Sequence, residues 1–156
     1  MIAVLQRAAR AAVRVDDRTT GEIGKGLLIL LGVAANDTER DAEALARKIV
    51  RCRIFEDGEG KMNRSLLDVG GSALVVSNFT LLANYAHGNR PDYFGAARPE
   101  KAIPLYEYFC QLVENEQVTV ATGEFGADMR VLLEGDGPVT IVMDSNELIS
   151  DKEKTS

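Results

Sequence analysis

Apolar residues along this chain fall into two rhythms, runs of strand length and two longer stretches at helical spacing. Ile2 to Gln6, Ala11 to Val15 and the continuous apolar run Leu27 to Val33 read as strands, the last buried on both faces. Gly21, Gly24 and Gly26 punctuate them. Asn36, Asp37 and Thr38 supply helix-capping chemistry, and Ala42, Leu45, Ala46, Ile49 and Val50 recur at helical spacing, which predicts a helix from about Thr38 to Arg51. Glu56 to Gly60 is a Gly-rich acidic turn, and Ala73 to Leu81 reads as a strand. The connection from Leu82 to Pro99 is long for a compact domain, a length usually kept for function. Ala102, Leu105, Tyr106, Phe109, Leu112 and Val113 mark a second helix. Pro104 places its start near Ala102, where a missing N–H costs nothing. Val118 to Thr122 and Asp128 to Leu133 are further strands, and Gly135, Asp136 and Gly137 make a turn into a last one, Val139 to Met143. The polar end from Asn146 to Ser156 is expected to fray. The pattern is a mixed α+β domain with several strands and two main helices, spanning 1–145, and no repeat or linker divides it.

Composition narrows the setting. The 156 residues, 46% of them hydrophobic, suit one domain with a substantial core. No run approaches the roughly 20 apolar residues that span a bilayer, and the start lacks a signal-peptide pattern. Cys52 and Cys110 are isolated within amphipathic segments, which fits reduced thiols and a cytoplasmic location better than a disulfide framework. A net charge of −6 argues against wrapping a long nucleic acid, DNA included, but leaves room for a small footprint. Arg7, Arg10 and Arg14 form a local basic cluster that either meets a few phosphates or is a solvated strand face.

Several chemistries fail on residue type. Gly24-Lys25 is followed by Gly26, not by the Ser or Thr of a phosphate-binding loop. Lys61 stands where a calcium loop wants an oxygen ligand, and one His with two distant Cys is too little for zinc. His87 is the only imidazole available to a nucleophile dyad, and nothing in the sequence would orient it as a base, so a conventional triad is unsupported.

Two short segments carry more. Ser77-Asn78-Phe79-Thr80-Leu81 sits at a strand end, and Gly135-Asp136-Gly137-Pro138-Val139-Thr140 at a turn entering a strand. Together with Met1-Ile2-Ala3-Val4-Leu5-Gln6-Arg7, Gly24 to Gly32, Arg53-Ile54-Phe55, Gly60-Lys61-Met62-Asn63, Arg90-Pro91 and Phe125 to Met129, in this order, they resemble the D-aminoacyl-tRNA deacylase family over residues 1 to 143. The resemblance implies a homodimer of small subunits, each a barrel-like mixed or antiparallel sheet packed with helices, with active sites at the dimer interface. It implies hydrolysis of the ester joining a D-amino acid, and in many members glycine, to the terminal adenosine of tRNA, with no metal or organic cofactor.

The implied chemistry needs no triad. An aminoacyl ester is already activated, so an aligned water and main-chain donors for the oxyanion supply most of the acceleration, with the ribose 2′-hydroxyl assisting. On the matching positions, Phe79 and Thr80 give main-chain donors, and Ser77 and Thr80 shape the pocket together with Asn78. Met129, Val139 and Thr140 line it. Gly137-Pro138 matches a Gly-Pro element with a cis bond, which reaches into the partner's pocket and collides with an L side chain. Two positions depart from the usual motifs: Asn78 stands where the family has Gln, and Gly135 where it has Asn. A deacylase of shifted specificity and a non-catalytic dimer binding a tRNA end remain as alternatives.

Overall fold

The opening strand is one element rather than two. In a computed structural model of the chain, which describes residues 1–150, β1 runs unbroken over Ile2–Val15, followed by β2 (Arg18–Ile23) and β3 (Gly26–Gly32). Helix α1 (Glu39–Arg51) leads to a small hairpin, β4 (Phe55–Glu56) and β5 (Met62–Arg64), and a one-turn helix α2 (Leu66–Val69). Then come β6 (Ser72–Ser77), α3 (Pro99–Asn115), β7 (Val120–Thr122) and β8 (Arg130–Asp144).

The length of β1 organises the sheet. One of its edges pairs antiparallel with β3 along Ile2 to Ala8 and with β2 along Ala11 to Val15. Its other edge pairs antiparallel with β8 from Ile2↔Asp144 to Arg14↔Arg130. Beyond β3 the sheet continues with β6 and β7, both parallel, and β7 comes back beside β2, so the mixed sheet is nearly closed and barrel-like. β8 is likewise a single strand: Gly135 stays paired with Ala8, and Asp136 to Val139 interrupt the ladder as a bulge that does not turn it back.

Leu27, Ile29 and Leu31 face the helices while Leu28 faces the inside of the sheet, which accounts for an apolar run without alternation. The main core lies between sheet and helices, where Leu45, Ile49, Leu105, Phe109 and Val113 meet. A smaller cluster inside the sheet joins Ala8, Ala11, Val13, Ile23, Leu28, Leu74 and Val76. Thr38 caps α1 as expected, with the Asp41 carboxylate accepting from its amide at 2.9 Å. Helix α3 begins at Pro99, three residues before the expected start, with Pro99 in the first turn and Pro104 inside the helix. Pro104 forgoes the bond to the Glu100 carbonyl on an exposed face, where water replaces the donor.

A buried polar network ties the ends of three elements. The Met1 amine meets Asp37 at 2.7 Å and the Ser145 hydroxyl at 2.8 Å, and that hydroxyl donates to Asp41 at 2.6 Å. Ser145 opens a short 3-10 turn, Ser145–Glu147, after which Ile149 is buried. Of the polar end, 151–156 lies outside the described residues. No helix among the described residues is long and apolar enough to cross a membrane.

Candidate active site

Strand β6 stops at Ser77, four residues short of the expected end, and the chain turns into a single 3-10 turn, Phe79–Leu82. The Asn78 amide donates to the Leu31 carbonyl at 2.8 Å, which fixes the turn on the end of β3. Gly32 permits that seat: a Cβ there would stand 2.6 Å from Leu82 Cδ2 and 3.0 Å from the Asn78 carbonyl oxygen. The amides of Phe79 and Thr80 open the turn, so they lack an acceptor within it, and they have none among the described residues. The Thr80 hydroxyl donates to the Asn78 side-chain carbonyl at 2.5 Å, so it is engaged within its own segment.

Phe79 is more than half exposed and meets Tyr93 edge to face at 5.1 Å. Tyr93 belongs to the long connection after the turn, which is clasped by mutual Asn84–Asp92 backbone bonds of 2.8 and 2.9 Å. The same connection is pinned to the chain beyond β3 through Ala35–Gly95 and Ala97–Val33. It also holds the exposed rings of Tyr85 and Phe94, and His87 stands exposed within it with no hydrogen-bond or ion-pair partner among the described residues. Met129 packs against the smaller core cluster, with its sulfur over Gly123 just past the end of β7.

The second segment forms an arch on β8. Gln6 pairs with Thr140 and Ala8 with Gly135, so Arg7 alone faces Asp136, Gly137, Pro138 and Val139. Gly137 and Pro138 are exposed at its crest, joined by a cis peptide bond. Gly137 has φ 142°. Beneath the arch Arg7 is only 6% exposed: Nε donates to the Asp136 carbonyl at 3.0 Å and pairs with its carboxylate at 3.3 Å, and Nη1 donates to the Ile54 carbonyl at 2.8 Å. Val139 packs on the main core, and the Thr140 hydroxyl donates to Gln6 Oε1 at 3.1 Å. Around Gly135 only Leu133 comes within 4 Å of where a Cβ would stand, an ordinary van der Waals contact, so a Cβ is accommodated there.

The basic cluster on β1 is thereby corrected. Arg7 is buried under the arch, Arg10 pairs with Glu134 at 2.7 Å, and only Arg14 is left exposed without an ion pair among the described residues. Strand parity carried this signal, because Ala3 and Leu5 point into the main core and Arg7 continues their face.

One chain does not bring the two segments together. β3 and β1 stand between β6 and β8, so Ser77 to Thr80 and the arch are three strand spacings apart along the sheet, each roughly 4.8 Å. Along the free edge of β8, Val131, Leu132, Leu133 and Val142 are exposed, at 37 to 68%.

The fold has known counterparts. A solved structure described as a probable eukaryotic D-amino acid tRNA deacylase superposes with TM-score 0.80 over 92% of this chain and 98% of that one; at 17% identity the likeness is one of fold. The c-Myc DNA unwinding element binding protein superposes with TM-score 0.87 at 38% identity, over 92% and 98% of the two chains. Sheet, helices and arch thus define a small α+β domain with a deacylase fold. The D-Tyr-tRNA(Tyr) deacylase family model matches residues 4–144. Proteins named D-aminoacyl-tRNA deacylase are similar along nearly their whole length: that of Thermosipho melanesiensis is 54% identical over 95% of this chain and 99% of its own, and that of Chloroflexus aurantiacus 56% identical over 95% and 92%. The chain belongs to the D-Tyr-tRNA(Tyr) deacylase family.

Proposed function

We propose that this protein hydrolyses the ester of D-aminoacyl-tRNA, and of glycine-mischarged tRNA, releasing the amino acid and tRNA. Family membership supports the reaction class, and the observation that carries the mechanism is the pair of open amides at Phe79 and Thr80. A water adds to the ester carbonyl, the oxyanion is held by those two N–H groups, and the ribose oxygen leaves with the proton. A main-chain donor of this kind contributes about 100- to 1000-fold in rate. Ser77 and Asn78 hold the turn in place, and Met129 closes one wall.

The active assembly is a homodimer in the cytoplasm, where charged tRNA is found. Two observations support the dimer: the uncovered apolar edge of β8, and the distance between the two segments within one chain. In the dimer the Gly137-Pro138 arch of one subunit enters the partner's pocket, with Val139 and Thr140 at its foot. Being backbone, the arch reads configuration at the α-carbon and turns away L-aminoacyl groups whatever their side chain.

Incubation of the purified protein with D-Tyr-tRNA, Gly-tRNA and L-Tyr-tRNA is expected to consume the first two and spare the third. Equal loss of L-Tyr-tRNA would remove the filter, and no loss of any ester would remove the hydrolase reading. Because the Thr80 hydroxyl bonds only within its segment, Thr80→Ala is expected to keep the rate within about tenfold, in line with one hydrogen bond of about 1 kcal/mol. A drop beyond a thousandfold with tRNA binding intact would make the hydroxyl a reacting group.

A further inference from the structure

The exposed side of α1 is mixed in its first half, with Glu39, Arg40 and Glu43, and carries only cations, Arg47, Lys48 and Arg51, in its second. Arg53 follows just beyond the helix end. These last four cations line a shallow groove of about 580 Å³ together with Ala44, Cys52 and Leu148, and no carboxylate among the described residues lines it. The helix dipole favours Lys48 and Arg51 in the last turn. It gives no reason for Arg53, which lies outside the helix. Arg51 is engaged by Glu116 through bonds of 3.0 and 2.9 Å, whereas Arg53 donates to the neutral Asn63 side chain at 2.9 Å and feels Asp68 only through space. Arg47 and Lys48 form no ion pair among the described residues. Four cations thus face two neighbouring carboxylates, Glu116 beside Arg51 and Arg47 and Asp68 near Arg53, which leaves a local positive excess in a chain whose net charge is −6.

We propose that this groove holds the sugar-phosphate backbone of the bound tRNA, away from its aminoacylated end. The inference rests on the deacylase reading for its ligand, and charge complementarity selects a polyanion. Position supports it as well. Arg53 adjoins Ile54, whose carbonyl accepts from Arg7 beneath the arch, so the Arg53 end of the groove lies toward the arch. The cations of β1 offer no comparable cluster: Arg7 is buried, Arg10 pairs with Glu134, and Arg14 stands alone.

The test uses the full chain, an Arg47→Ala/Lys48→Ala variant and a triple variant adding Arg53→Ala. The double variant keeps the Arg53–Asn63 contact should its loss disturb folding. Affinity for uncharged tRNA is measured over a salt series, beside hydrolysis of D-Tyr-tRNA and of D-tyrosyl-adenosine, which lacks the tRNA body. The triple variant is expected to bind tRNA at least tenfold more weakly and to lose about 2 to 3 from the log–log salt slope, at roughly 0.9 per phosphate on a duplex. KM for D-Tyr-tRNA rises, kcat holds, and D-tyrosyl-adenosine is cleaved as before. Unchanged affinity and slope in both variants would overturn the proposal, as would an equal loss on D-tyrosyl-adenosine. Displacement of tRNA by duplex DNA as effectively as by tRNA itself would overturn the assignment to tRNA. If the unmodified chain cleaves neither ester, the deacylase reading fails while the binding series still decides the groove.

Discussion

Arg7→Ala is expected to slow D-Tyr-tRNA hydrolysis by about 100-fold and to lower the melting temperature at the same time. Both losses have one cause. The guanidinium is almost wholly buried and serves the Ile54 carbonyl and both acceptors of Asp136. Without it the Ile54 carbonyl keeps no donor, which costs roughly 1–3 kcal/mol, and a chain of this size loses about 2–4 °C per kcal/mol. The arch loses the side chain that fixes its foot, and displacement of a site element by about 1 Å can cost 100-fold in rate. Arg7→Lys recovers part of the stability but little of the rate, because an ammonium cannot span two separated carbonyls as the planar fork does. Calorimetry and single-turnover deacylation check this, and a wild-type rate in Arg7→Ala would show that the arch needs no anchor.

Gly137→Ala should separate the two effects. The residue lies in a region of φ that L side chains rarely adopt, and an added Cβ would stand 2.5 Å from the Val139 amide nitrogen. The strain, about 1–3 kcal/mol, is relieved by shifting the arch rather than by unfolding, since the crest is exposed and carries none of the core. The expected result is a loss of about 100-fold in rate on D-Tyr-tRNA and a weaker preference over L-Tyr-tRNA, with the melting temperature within about 3 °C of the parent. A variant with full rate and full selectivity would leave the arch without a part in the site.

Much of the fold was legible because its signals are local. The α1 cap at Thr38, the helical spacing through Val50 and the two-sided burial of Leu27 to Leu31 each follow from residue type and period. The two interruptions in β1 and β8 were misread for one reason. A strand that bulges against its partner and a strand that ends look alike in sequence, and only the register, with Arg7 opposite four residues, separates them. Pro104 misled in a similar way, as an exposed helix face tolerates the missing donor. Ser77 to Thr80 and Gly137-Pro138 entered through family resemblance, while the burial of Arg7 was present in strand alternation and was overridden by its charge.

Strand β1 also limits how homologous sequences can change length. The turn at Ser77 to Thr80 is referenced to β1 through Leu31 and its partner Ala3, and the arch through Arg7, four residues along the same strand. Insertion or deletion of one residue between Ala3 and Arg7 would point the guanidinium to the other face and shift the arch relative to the turn. Such indels should be absent from active relatives, whereas the tips near Gly58 and His87, which measure nothing against β1, are free to lengthen.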